Sequence, residues 1–198
     1  MPDCASNHAT LPGCLVLVVG PSGSGKDSLI SKAQEVLSGD GRFHFPTRII
    51  TRAPDDTEHH QPVTKPEFAT RLEAGGFLLH WHANSLSYAI PADAAKPLAQ
   101  GHCVVANVSR TIISDTFRDF GNVRVVHVTA RTDILRDRLA TRGRETANDR
   151  LARLERSSRI ELPAGCPVDE IANNGELNDA STRFVTLLER YAASSTRE

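Results

Sequence analysis

Lysine is scarce in this 198-residue chain. It occurs only at 26, 32, 65 and 96, and the other basic residues are arginines. Net charge is scarce too: 23 basic residues face 24 acidic ones, a formal balance of −1, with both signs spread along the chain. Without a basic stripe, the usual electrostatic footprint of a nucleic-acid-binding protein is excluded. There is no CxxC pair. Cys4, Cys14, Cys103 and Cys166 are scattered, which argues against a disulfide framework and for a reducing compartment. No apolar run reaches membrane-spanning length. The opening MPDCASNHATLPG has neither a basic start nor an apolar core, so no signal peptide is expected and the expected location is cytoplasmic. The arginine bias suits oxyanions such as phosphate, which guanidinium forks bind well. A GC-rich genome would produce the same bias.

What is present is an alternation of buried-type strands and helices. Residues 1–13 are small and polar, with Pro and Gly, and read as a flexible tail. Cys14–Val19 (CLVLVV) is a continuous apolar run, as expected of a strand buried on both faces. A glycine-rich turn follows, then helical spacing over 26–37. Residues 102–108 (HCVVANV) and Val123–Thr129 (VRVVHVT) repeat the pattern, each followed by a helical segment, at 110–119 and 132–142. A shorter strand, Val168–Ala172, precedes an amphipathic helix at 178–193. This order implies an α/β fold with a parallel sheet flanked by helices. Between 44 and 91 the pattern changes to short strands (44–50, Phe77–Ala83, 86–90) around one helix. Thr64-Lys65-Pro66-Glu67 introduces that helix as a capping box with Pro in its first turn. This reads as a small insertion within a single domain spanning 14–198.

The chemistry-bearing stretch is Gly20-Pro21-Ser22-Gly23-Ser24-Gly25-Lys26-Asp27-Ser28. It matches the phosphate-cradle pattern GxxxxGK[ST] up to its last position, between a strand and a helix as that motif requires. Its backbone N–H groups and the helix N-terminus would bind an anion, with Lys26 reaching the β- and γ-phosphates of a nucleotide. Where a hydroxyl normally holds magnesium, the chain has Asp27. A carboxylate in the first turn of a helix complements the helix dipole. It is also a good ligand for Mg2+. The second reading is favoured because the core strands end in Asn107-Val108-Ser109-Arg110 and Thr129-Ala130-Arg131, without the carboxylate that P-loop enzymes usually place there. Arg138 and Arg142 share a helical face, and Arg144 and Arg150 follow near Gly143. They form either a solvated charged face or a lid that closes over a transferring phosphoryl group.

GPSGSGK, TRAP at 51–54, FLLHW at 77–81 with Tyr88 beyond it, and RGRET with Arg150-Leu151 over 142–151 resemble the guanylate-kinase-like fold. The resemblance covers about 14–193. It implies a P-loop kinase core, an acceptor-binding insertion at about 44–91, a lid at about 142–150, ATP as phosphoryl donor and Mg2+ as cofactor. The guanine-reading positions of that fold hold Arg48 and His80, and the acidic strand end is replaced by Asn107-Val108-Ser109. A site that leaves guanine's donors unpaired rejects it strongly. GPSGSGKDS, RIITR (48–52), WHANSLSY (81–88), NVSR (107–110), RGRE (142–145) and NNGEL (173–177) are instead similar to the ribose 1,5-bisphosphate phosphokinase family. That family acts in phosphonate breakdown and makes 5-phosphoribosyl 1-diphosphate. Ser85-Leu86-Ser87-Tyr88-Ala89 departs from it, where glycines around the tyrosine are favoured. The resemblance implies ribose 1,5-bisphosphate as small-molecule partner. Arg48, Arg52 and Arg110 are then candidate phosphate anchors. Tyr88, Asn84, Asn107 and Ser109 are candidate readers of sugar hydroxyls. A nucleoside monophosphate kinase and a non-catalytic binding module are the alternatives, and a homodimer is compatible with the sequence. His80-Trp81-His82 and His59-His60 lack a third ligand of suitable spacing and are not read as a metal site.

Overall fold

Every residue of Cys14–Val19 (β1) is buried, as a run without a polar side chain requires, and β1 lies at the centre of the main sheet. The structure, a computed structural model, describes residues 11–53, 59–141 and 160–195. Its strands continue with β2 (Phe43–His44), β3 (Ile49–Ile50), β4 (Gln61–Pro62), β5 (Phe77–Ala83), β6 (Leu86–Pro91), β7 (Cys103–Asn107), β8 (Val123–Thr129) and β9 (Val168–Ala172). The helices are α1 (Lys26–Val36), α2 (Lys65–Glu73), α3 (Ala95–Ala99), α4 (Ile113–Asp119), α5 (Thr132–Thr141) and α6 (Leu177–Ser195).

The main sheet has the order β2-β7-β1-β8-β9, and all its pairings are parallel. Because successive side chains of a strand point to opposite faces, β1 feeds two cores. Val16 and Val18 pack with Leu29 and Ala33 of α1 and with Phe184 and Leu188 of α6. Leu15, Leu17 and Val19 pack on the other face with Leu98, Ile113 and Phe120. Helices therefore cover both faces, which is why the central strand β1 reads as an unbroken apolar run. Among the described residues no helix is long and apolar enough to cross a membrane.

The second sheet, in the order β4-β3-β6-β5, is built from residues 49–91 and is antiparallel except between β3 and β4. Trp81 and Ile90 are buried in the same cluster as Leu17 and Val19, so the insertion is packed onto the core. Thr64 and Glu67 cap α2 reciprocally: Thr64 N–H donates to Glu67 Oε2 at 2.7 Å, and Glu67 N–H donates to Thr64 Oγ1 at 3.3 Å.

Three expectations need correction. The strand expected over 44–50 is two strands in different sheets. Phe43–His44 pairs with β7, while Ile49–Ile50 joins the insertion. Between them Pro46, without an N–H, cannot continue a ladder. The flexible tail expected over 1–13 ends too late, since Gly13 is buried and its N–H donates to Leu98 C=O at 2.9 Å. The helix expected over 110–119 starts as a 3-10 turn, Arg110–Ile112, before α4. The lid expected at 142–150 lies outside the described residues.

Candidate active site

Between β1 and α1 the chain turns through positive φ at Gly20 (146°), Gly23 (85°) and Gly25 (90°). Two of these glycines are also required by close approach. A Cβ on Gly20 would lie 2.1 Å from Val128 O, and one on Gly25 would lie 2.4 Å from Asn173 Nδ2. Gly25 is the N-cap of α1 and brings no side-chain cap, so the first-turn N–H groups face the concavity of the loop. Lys26 arches back over it, donating to Gly20 O at 2.8 Å and Pro21 O at 2.9 Å. Ser24 is wholly buried, and its Oγ has no hydrogen-bond partner among the described residues. Ser28 is exposed on α1.

Asp27 joins the two halves of the site. Its Oδ1 accepts from Arg48 Nη2 at 2.9 Å and from Asn107 Nδ2 at 2.7 Å. Arg48 stands at the entry to β3, and Asn107 ends β7, so one carboxylate gathers the loop helix, the insertion and the core sheet. A cavity of about 80 Å³ adjoins them, lined also by Gln34, Thr47 and His59. The second carboxylate oxygen, Oδ2, carries no hydrogen bond among the described residues, and the side chain keeps 35% of its exposure. A hard carboxylate oxygen so placed fits the magnesium ion that the resemblance implies. Among the described residues no group of three His, Cys, Asp or Glu gathers to hold a metal.

The other candidate residues divide. Arg138 of α5 reaches the loop, its Nη1 donating to Gly23 O at 3.4 Å. Arg142, Arg144 and Arg150 lie outside the described residues. Arg52 follows β3, where His60 Nε2 bonds its carbonyl at 3.3 Å. Tyr88 stacks on Trp81 with ring centroids 5.5 Å apart and planes 5° from parallel, which fixes the ring at the insertion–core seam. Asn107 is engaged with Asp27. Ser109 Oγ accepts from Thr111 N–H at 3.3 Å, a cap for the turn that begins at Arg110. Asn84 and Ser85 form the β5–β6 hairpin tip with φ of 49° and 63°. His80 and His82 lie on β5, where His82 Nδ1 meets Ser87 Oγ at 2.9 Å. Burial, reinforced by the charge of His82, pushes the His80 imidazole below its usual pKa.

Some contacts around the site were not read from the sequence. Thr51 N–H donates to Ser87 O at 3.0 Å, and Ser87 N–H returns a bond to Thr51 Oγ1 at 2.8 Å, locking β3 to β6 beside Arg52. Asn174 Oδ1 accepts from Arg131 N–H at 2.7 Å, and Asn173 Nδ2 donates to Ser24 O at 2.8 Å. Their one signal was the NNGEL segment. His127 of β8 is half-buried, and its Nε2 has no hydrogen-bond partner among the described residues. Burial lowers its pKa, Glu170 opposes that, and Arg110 and Lys26 add to it.

A glycine loop between the central parallel strand and a helix, an arginine reaching it from α5 and a small antiparallel insertion define a P-loop kinase of the guanylate-kinase-like fold. The solved guanylate kinase from Anaplasma phagocytophilum superimposes with a TM-score of 0.61 over 92% of this chain and 87% of that one, at 16% identity. No family model matches the chain. Individual relatives are more specific. The chain is 41% identical over 178 residues to ribose 1,5-bisphosphate phosphokinase PhnN of Methylobacterium radiotolerans, covering 90% of this chain and 98% of that protein. It is 42% identical over 187 residues to the protein of the same name from Brucella melitensis biotype 2, covering 94% and 97%. The chain belongs to the ribose 1,5-bisphosphate phosphokinase family.

Proposed function

We propose that the protein transfers the γ-phosphoryl group of ATP to the 1-phosphate of ribose 1,5-bisphosphate, giving 5-phosphoribosyl 1-diphosphate and ADP. Family membership supports the reaction, and one observation carries the choice of acceptor. At the position where the guanylate-kinase-like fold keeps a small base-reading hydroxyl, the chain has Arg48, 13% exposed and held by Asp27. Asp27 is the one carboxylate lining the cavity beside Arg48 among the described residues, and with Arg48 paired to it the corner suits phosphates and hydroxyls better than the N–H donors of guanine.

The chemistry needs little beyond alignment. A phosphate monoester has a second pKa near 6, so the attacking oxygen is anionic at neutral pH and no general base is required. The loop N–H groups and Lys26 hold the donor phosphates, Arg52 and Arg110 hold the acceptor, and Tyr88 and Ser109 face its sugar. Arg138, with Arg142, Arg144 and Arg150, supplies charge to the transferring group. Asp27 would hold magnesium through Oδ2 while Arg48 and Asn107 fix Oδ1. Bound there, the ion would neutralise charge on the β- and γ-phosphates. The near-neutral surface gives no support to a nucleic-acid partner. Cys14, Cys103 and Cys166 form no disulfide among the described residues, which supports a reducing, cytoplasmic setting.

The test is an assay of the purified chain with Mg2+ and ATP, offering ribose 1,5-bisphosphate or GMP, with products resolved by phosphorus NMR. The expected product is 5-phosphoribosyl 1-diphosphate from the first acceptor. Turnover of GMP with none of that product formed overturns the reading in favour of a guanylate kinase, and no turnover of either favours a binding module.

A further inference from the structure

A phosphate cradle works only if its peptide N–H groups point inward, and in a trans peptide unit this requires the attached carbonyl to point outward. Carbonyls turned away from solvent need partners of their own. In this loop they have them. Lys26 serves Gly20 and Pro21, Arg138 serves Gly23, and Leu29 N–H serves Gly25 at 2.9 Å. The carbonyl of Ser24 is served from the far end of the chain, by Asn173 Nδ2 at 2.8 Å across 149 residues of sequence.

Asn173 is built into that position. It follows β9 directly, and its N–H donates to Thr129 O at 2.8 Å, which extends the β8–β9 pairing by one residue. It is 2% exposed. Its amide occupies the space that a side chain on Gly25 would take, so the loop glycine and the asparagine fit one another. Only the nitrogen end of an amide can donate to a carbonyl. The contact therefore sets which way the amide faces, and its Oδ1 is buried without a hydrogen-bond partner among the described residues.

We infer that Asn173 is a positioning residue of the phosphate loop. By holding the Ser24 carbonyl outward, it aims the Gly25 N–H, on the opposite side of the same peptide unit, into the cradle. Its effect is then on the polyphosphate part of the donor and not on the base. This separates it from a residue that reads the nucleoside and from one that merely fills the core.

The inference rests on the loop binding phosphates, so the probes are ATP and base-free inorganic triphosphate, each with Mg2+, titrated calorimetrically into the full chain. Asn173→Ala is expected to weaken both by a similar factor, about tenfold for one lost hydrogen bond in a buried setting. The KM for ATP is expected to rise while the KM for the acceptor stays unchanged. Asn173→Ser, whose hydroxyl is too short to reach Ser24, should behave alike and serves if the alanine variant does not fold. Weaker ATP binding with unchanged triphosphate binding overturns the inference in favour of a nucleoside contact. Unchanged binding of both, with only the melting temperature lowered, reduces Asn173 to packing. A wild-type chain that binds ATP but no triphosphate overturns the inference and leaves the proposed reaction intact.

Discussion

Replacing Asp27 by Asn keeps the side-chain volume and an oxygen for Arg48 and Asn107, but removes the charge and turns the second oxygen into an amide nitrogen. If Asp27 served just the α1 dipole and the ion pair with Arg48, the change would cost about 1–2 kcal/mol of stability and leave the metal requirement alone. As a magnesium ligand it predicts more. In Asp27→Asn the turnover at saturating substrates falls at least about tenfold, roughly 1.4 kcal/mol of barrier, and half-maximal activation needs more Mg2+. Binding of Mn2+ to the enzyme–ADP complex, read by electron paramagnetic resonance, should weaken in parallel. An unchanged metal requirement would return Asp27 to the dipole and ion-pair role. Ser85 makes a second prediction at this scale. Both tip residues of the β5–β6 hairpin have positive φ, the backbone of a turn that favours Asn-Gly. Asn84 tolerates that region, whereas serine there is strained by about 1–2 kcal/mol. Ser85→Gly should therefore raise stability by about 1 kcal/mol, after the added freedom of glycine in the unfolded chain is set against the strain. A urea titration checks it.

The elements were legible wherever one physical signal dominated. Cys14–Val19, Val123–Thr129 and Val168–Ala172 have the bounds expected of them, and Cys14–Val19 was the plainest, because a strand covered on both faces has no polar face to blur it. The α2 start was legible for another reason, since Thr64 and Glu67 need only each other. The chain at 43–50 was not, because its apolar residues serve two sheets in turn, and periodicity does not reveal which partner a strand will find. β4, only Gln61–Pro62 and exposed, has no apolar signal at all. The cap itself is testable. Thr64→Ala removes the acceptor for Glu67 N–H and should cost about 1 kcal/mol. Phe68 of α2 is buried against Phe77, with centroids 4.7 Å apart. The loss should therefore appear first as faster hydrogen exchange in α2 and around Phe77. Protection of β1 and β7 should stay close to wild type, and equal loss in both sheets would show that α2 is not a separate unit of opening.

Over the whole molecule, the phosphate loop was legible because its residues are consecutive; Arg138 and Asn107 were legible as candidates but not in their contacts, and Asn173 not at all as a partner of the loop. Asn173 and Asn107 reach the loop or its helix from the ends of β9 and β7, and Arg138 from within α5, and only folding brings them there. The same long-range logic governs the closing of the chain. Asp169 on edge strand β9 accepts from Tyr191 Oη at 2.6 Å and from Arg190 Nη2 at 2.7 Å, so the last strand is tied to the last helix. Arg124 from β8 and Arg190 both lie over the Tyr191 ring. Burial of the Asp169 carboxyl works against its ionisation, but the bonds from Tyr191 and Arg190 and the charges of Arg190 and Arg124 outweigh it and hold the pKa below the usual carboxylate range. Burial and the neighbouring carboxylate push the Tyr191 hydroxyl up, so it remains a donor. A depressed carboxylate pKa stabilises the fold above its unfolded value, near 3.9, and that contribution is lost as pH falls below it towards the folded value. Because the pair is partly solvated, its contribution at neutral pH is about 1 kcal/mol. Asp169→Asn should thus be less stable than wild type at pH 7 by about that amount in urea unfolding. The gap should persist at pH 5 and narrow as pH falls below about 4, where the unfolded chain's carboxylate takes up a proton that the folded one resists. A gap of constant size across this range would mean that Asp169 acts through its shape and hydrogen bonding alone, with no contribution from its charge.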